Sequence, residues 1–138
     1  MSPLVFFNAS VILAGLKSST GASKKLLEWA AQGKIRAVVS EVVLDEVWRN
    51  FRKLDISEAL LKKNVISFRI EKAPAGKELK RFKKLVVDPD DVHILTSVKE
   101  VDADFLVTLD KKHILVLQKK IRWTKIVSSG ELLKILLR

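Results

Sequence analysis

The chain has 138 residues, 48% of them apolar and 30% charged, and no cysteine. That length and balance fit a single folded domain over 1–138; disulfides, thiolate chemistry and sulfur-liganded zinc are excluded, no run approaches the roughly 18 apolar residues of a membrane span, and no secretory leader opens the chain, so a cytoplasmic protein without membrane contact is expected. Twenty-six Lys and Arg against 16 Asp and Glu leave a net charge of +10, which suits a polyanionic partner and equally a well-solvated surface.

The elements follow one another without repeat, low-complexity tract or linker. "LVFF" at Leu4–Phe7 is a short buried strand, and Asn8 stands where it emerges. The chain then runs through Gly15 and the turn-rich "KSSTGAS" into a helix over 23–32, with Ser23 as N-cap, Leu26, Leu27 and Ala30 on the apolar face, and Gly33 as the stop. "IRAVVS" is a second strand, and Ser40 caps a helix in which Val43, Leu44, Val47, Trp48 and Phe51 share one face. In "DISEALLKK", Asp55 followed three residues later by Glu58 is a capping-box pattern that starts a third helix, and "VISFRI" is a third strand. "EKAPAGKELKRFKK" reads as a loop and a short, basic surface helix. "VVDPDDVHILTSVKEV" is a helix with Asp88 at the cap, Pro89 at the first position and acids in the first turn. "DFLVTLD" is a fourth strand with its polar end at Thr108 and Asp110, "WTKIVS" is a fifth, and "SGELLKILLR" is a terminal helix.

Alternating strands and helices imply βαβ units, hence a three-layer α/β/α fold around a parallel sheet of four to five strands. In such sheets the ligand crevice lies beyond the carboxyl ends of the strands, where strand order switches direction. Asn8, the 40–46 segment and 108–110 all fall there. The acids near these ends are Glu41, Asp45 and Glu46, then Asp88, Asp90 and Asp91, then Asp110. Carboxylates gathered in a crevice repel one another, and a hard divalent cation relieves that repulsion while activating water toward a phosphodiester. Each acid also has a plain structural explanation. Asp88, Asp90 and Asp91 suit a helix start, Asp110 suits a turn, and helical periodicity does not choose between Asp45 and Glu46.

The succession "LVFFNASVILAGL", "GKIRAVVSEVVLDEV" and "VVDPDDVHILTSVKEVDADFLVTLD" resembles the PIN domain, a family of metal-dependent ribonucleases that includes toxins of prokaryotic toxin–antitoxin pairs. The resemblance spans nearly the whole chain and is most specific in its third piece. It implies a Mg²⁺- or Mn²⁺-dependent endoribonuclease with acids converging at the carboxyl end of the sheet: Glu46, Asp91 and Asp110 as metal ligands. The family's first acid, at the end of the first strand, is replaced by Asn8, which can offer a carbonyl oxygen or position a water but brings no charge. Two readings follow: an attenuated or Mn²⁺-preferring nuclease, or a non-catalytic module that binds RNA or protein. The toxin resemblance further implies a small antitoxin partner and a homodimer.

Lys77, Lys80, Arg81, Lys83 and Lys84 lie within eight residues, opposed only by Glu78. Such a cluster can track a single-stranded RNA backbone, or simply form a solvated helix face. Arg49, Arg52 and Lys53 extend the same idea beyond Glu46. His93 lies about 200° round a helix from Asp91 and is expected to be structural or exposed, and His113 to sit in a loop or helix start. Trp29, Trp48 and Trp123 are expected as core or interface anchors. No Gly-rich phosphate loop is present, and the paired acids of a phospho-acceptor receiver domain are absent.

Overall fold

A four-residue run with no polar side chain, such as Leu4–Phe7, suits a strand covered on both faces, and this run is the middle strand of the sheet. The computed structural model describes residues 2–74, 76–86 and 88–138, without the side chains of 77 and 78. Five parallel strands, β1 (Leu4–Phe7), β2 (Arg36–Ser40), β3 (Arg69–Glu71), β4 (Phe105–Val107) and β5 (Lys125–Val127), are ordered β3-β2-β1-β4-β5. Around them lie α1 (Ala9–Lys17), α2 (Ala22–Ala31), α3 (Glu41–Asn50), α4 (Glu58–Val65), α5 (Gly76–Arg81), α6 (Val92–Val101) and α7 (Ser129–Leu136). This is the expected α/β/α architecture. Its core is continuous through Phe6, Phe7, Leu26, Val38, Leu95 and Leu106.

Strand order reverses between β1 and β4. The chain grows outward from β1 through β2 to β3, then crosses back to β4 and continues to β5. The crevice at this switch point is therefore bounded by the residues leaving β1 and β4. At the far edge, Ile126 of β5 turns its carbonyl away from β4, and Gln118 Nε2 donates to it at 2.8 Å.

Several local expectations are corrected. The stretch after Asn8 is a full helix, α1, rather than a passage to the next element. Val11, Ile12 and Leu16 are buried on one face, but only Ser10 and Lys17 are polar, so a narrow polar stripe is all that marks the period. Gly15 sits inside it because α2 comes so close: a Cβ there would lie 2.6 Å from Leu27 Cδ1 and 2.9 Å from the Ser23 carbonyl oxygen. Gly21, at φ 105°, is the N-cap of α2, while Ser23 is buried and its hydroxyl meets that of Ser129 at 2.8 Å. Asp55 adopts a left-handed conformation, and Ser57 caps α4 by accepting from Leu60 N at 3.0 Å. Glu58, freed from a capping box, pairs with Arg52 and Lys62, each at 3.6 Å. The third strand is shorter than "VISFRI", because Val65 completes α4. Ser40 caps α3 as expected, accepting from Val43 N at 3.2 Å.

Candidate metal centre

Asn8 leaves β1 at the switch point and is buried. Its Oδ1 accepts from Ala9 N at 2.8 Å, capping α1, and its Nδ2 donates to Thr108 Oγ1 at 2.8 Å. The amide's orientation follows from chemistry, since the Ala9 N–H needs an acceptor. Thr108 Oγ1 also accepts from Asp110 N at 3.1 Å. One hydroxyl thus ties the end of β1 to the loop after β4 that carries Asp110.

Across the crevice, Asp88 caps a 3-10 turn over Pro89–Asp91, accepting from Asp90 N at 3.0 Å, and this turn leads into α6. The cap and Pro89 stand where the sequence put them, but the first turn is wound tighter than an α-helix. Asp91, at its end, has one carboxylate oxygen, Oδ2, that is buried without a hydrogen-bond partner among the described residues. Burial, and then the charges of Asp88, Asp110 and Glu46, push its pKa up to about 6, with the His113 ring opposing. Burial also raises the Glu46 carboxyl, partly offset by Arg49. Asp45 and Glu46 are both exposed, and Asp45 pairs with Arg49 at 3.2 Å. Of the two acids that periodicity left open, Glu46 is the one whose charge reaches Asp91.

Among the described residues, Asp88, Asp91 and His113 can each present one donor atom within 4.8 Å of the others. Glu46 and Asp110 stand outside this tight group, near enough for their charges to act on Asp91. Asp110 Oδ1 accepts from His113 N at 3.0 Å, and its Oδ2 lies 3.3 Å from His113 Nδ1. Sequence reasoning did not assign Asp88 or His113 to the site. The available signal was the three-residue spacing of Asp88 with Asp91 and of Asp110 with His113, which in a helical turn puts two side chains on one side. His93 lies on α6, half-buried, with Nδ1 buried and unpartnered among the described residues and its pKa lowered by burial. The donor set, mainly carboxylate with one orphaned buried oxygen, fits a divalent cation.

The family model described as PIN domain matches residues 4–112. The chain belongs to the PIN domain family. The matched stretch covers Asn8, Glu46, Asp91 and Asp110 and ends one residue short of His113. No curated protein matches this PIN domain. Among solved structures, PAE2754 from Pyrobaculum aerophilum is 19% identical, with a TM-score of 0.67 over 99% of this chain and 97% of that one. VapBC2 from Rickettsia felis, solved bound to a DNA fragment from their promoter, is 14% identical, with a TM-score of 0.64 over 91% of this chain and 98% of that one. At such identities they share the fold.

The basic segment of this PIN domain follows β3 and packs through α5 on α6, the helix that continues from Asp91. Phe82 anchors it, buried against Trp123 with ring centroids 5.6 Å apart. Lys80, Arg81, Lys83 and Lys84 are exposed, and the Arg81 guanidinium lies 5.5 Å from the Phe82 ring centre. The side chain of Lys77 lies outside the described residues. Arg49 and Arg52 are engaged with Asp45 and Glu58. A cleft of about 610 Å³ lies elsewhere, between β5 and α7, lined by Arg122, Lys125, Ile135 and Arg138 among others. None of Glu46, Asp88, Asp91 and Asp110 lines it. No helix among the described residues is long and apolar enough to cross a membrane.

Proposed function

We propose that this PIN domain is a metal-dependent endoribonuclease of reduced charge. The observation that carries the reading is Asp91, whose buried oxygen has no hydrogen-bond donor among the described residues while three other acids bear on its charge. Glu46, Asp91 and Asp110 would hold Mg²⁺ or Mn²⁺, directly or through an intervening side chain or water. When bound, such a cation supplies Lewis acidity toward a phosphodiester and an acidified water. Asn8 ties β1 to Thr108 and so fixes where the Asp110 loop sits relative to α1. The exposed cations at Lys80, Arg81, Lys83 and Lys84 would draw a single-stranded RNA toward the crevice, with Lys77 completing the cluster. A toxin role with a small antitoxin partner, a homodimeric state and a cytoplasmic location belong to the same proposal. They rest on the family resemblance.

The competing reading, a non-catalytic module that binds RNA or protein, is favoured by one observation. Asn8 spends both ends of its amide on Ala9 and Thr108. The deciding experiment is cleavage of a mixed-sequence single-stranded RNA in Mn²⁺ by the wild type, Asn8→Asp and Asp91→Asn. Wild-type activity above Asp91→Asn supports the nuclease. Activity confined to Asn8→Asp supports the binding module, with an intact but disarmed pocket.

A further inference from the structure

We propose that His113 is itself a metal ligand of this PIN domain, presenting to the cation the ring nitrogen that Asp110 leaves free, beside the carboxylates of Asp88 and Asp91. The inference rests on the metal-dependent reading above and extends it to a nitrogen donor and a preference among cations.

Three observations converge on the ring. First, a nitrogen of His113 and one oxygen each of Asp88 and Asp91 all lie within 4.8 Å of one another, a span that one ion can bridge. Second, the Asp110 carboxylate grips His113 twice, accepting from its backbone N at 3.0 Å and standing 3.3 Å from Nδ1. A proton on Nδ1 shared with that carboxylate leaves the Nε2 lone pair to bind, and a carboxylate behind an imidazole is the usual outer support of a metal-bound histidine. Third, one Asp91 oxygen is buried without a hydrogen-bond partner among the described residues, and a cation would satisfy it. The His113 side chain keeps 40% of its surface open, so an ion can reach it.

The arrangement also accounts for the departure at Asn8. A first-strand acid would add a charged oxygen to the site, whereas the Asn8 carbonyl is already engaged by Ala9 N. His113 supplies a donor from the opposite side of the switch point. Asp110 acts through it, as a positioning residue. Imidazole suits transition metals better than Mg²⁺, which favours all-oxygen coordination, so this site should prefer Mn²⁺.

The test is pulsed EPR on the full-length protein loaded with Mn²⁺, read for ¹⁴N modulation and paired with calorimetric titration of Mn²⁺ and Mg²⁺. The chain has only two histidines, so the assignment needs two variants. The expected result is nitrogen modulation that persists in His93→Gln and vanishes in His113→Gln. In the latter, Mn²⁺ affinity should fall about tenfold or more, with a smaller change for Mg²⁺. Bound Mn²⁺ without nitrogen modulation in the wild type would overturn the ligand role of His113 and leave the metal-dependent reading standing. Modulation surviving in His113→Gln would do the same. No bound Mn²⁺ at all would overturn both. The wild-type and His93→Gln spectra decide the point even if His113→Gln does not fold.

Discussion

Asp91 and Glu131 are both carboxylates in the opening turn of a helical segment, and their surroundings treat them in opposite ways. Glu131 accepts from Ser128 N at 3.0 Å and from Gln118 Nε2 at 3.2 Å, and the bond from the Ser128 backbone holds its pKa below the usual carboxylate range. Asp91 has an oxygen with no donor among the described residues, and burial among other acids lifts its pKa to about 6. A position near a helix start therefore does not decide whether an acid serves the fold. The donors aimed at it decide. Glu131 completes a capping box, whereas Asp91 is left under an electrostatic load that a cation would remove.

The sharpest way to break this contrast is Asp91→Asn. It should cut Mn²⁺ affinity by about 100-fold or more, read by calorimetry, and abolish any RNA cleavage. Without metal, the same variant should be more stable than the wild type at pH 7. After discounting for solvent screening, the gain is roughly 1 kcal/mol, seen as about 3 °C in the melting temperature.

The pH dependence of the two acids should differ in sign. Folding raises the Asp91 pKa, so the folded state holds that proton more tightly. Its contribution to stability is fully present below the ordinary value of 3.8 and is lost as pH rises through about 6. Metal-free melts should show this loss in the wild type and not in Asp91→Asn, while Mn²⁺ affinity should climb over the same interval as the proton is displaced. Folding lowers the Glu131 pKa, so its contribution is present above the ordinary 4.5 and is lost as pH falls through the lowered value.

Smaller effects sharpen the comparison further. Gly15→Ala lies away from both acids and should cost about 1–3 kcal/mol through the clash of α1 with α2, with Mn²⁺ affinity per folded molecule unchanged. Reversing Lys80, Arg81 and Lys83 to Glu should weaken RNA binding and flatten its salt dependence, the log–log slope falling by about 2 or more. Glu131→Gln should cost about 0.5 kcal/mol in a denaturant titration and leave cation binding alone.

Much of this was legible in the residues. β1, β2 and the switch-point rule located the crevice because short apolar runs and alternating periods reflect burial directly. Asp88 and Pro89 announced their turn by cap chemistry, and Ser40 did likewise for α3. The stretch at 9–17 hid its helix because only Ser10 and Lys17 interrupt its apolar residues, too few to mark a period, and Asp55 drew attention from Ser57 because both suit a cap. At the site, Glu46 could not be told from Asp45 by angle alone; what separates them is tertiary, since only the charge of Glu46 bears on Asp91 while Asp45 forms the ion pair with Arg49. His113 was out of reach for a similar reason. Its partners Asp88 and Asp91 lie more than 20 residues earlier in the chain and meet it only in the folded protein.

Gln118 does more than bind Ile126 and Glu131. By donating to the outward carbonyl of Ile126, its side-chain amide fills one position that a sixth strand would use. At the other edge, Arg69 and Glu71 of β3 pair at 2.6 Å and flank Ile70, placing charge along that border. An incoming chain would have to evict the amide on one side and would meet charged side chains on the other. Both margins of the sheet thus carry features that disfavour sheet-to-sheet growth.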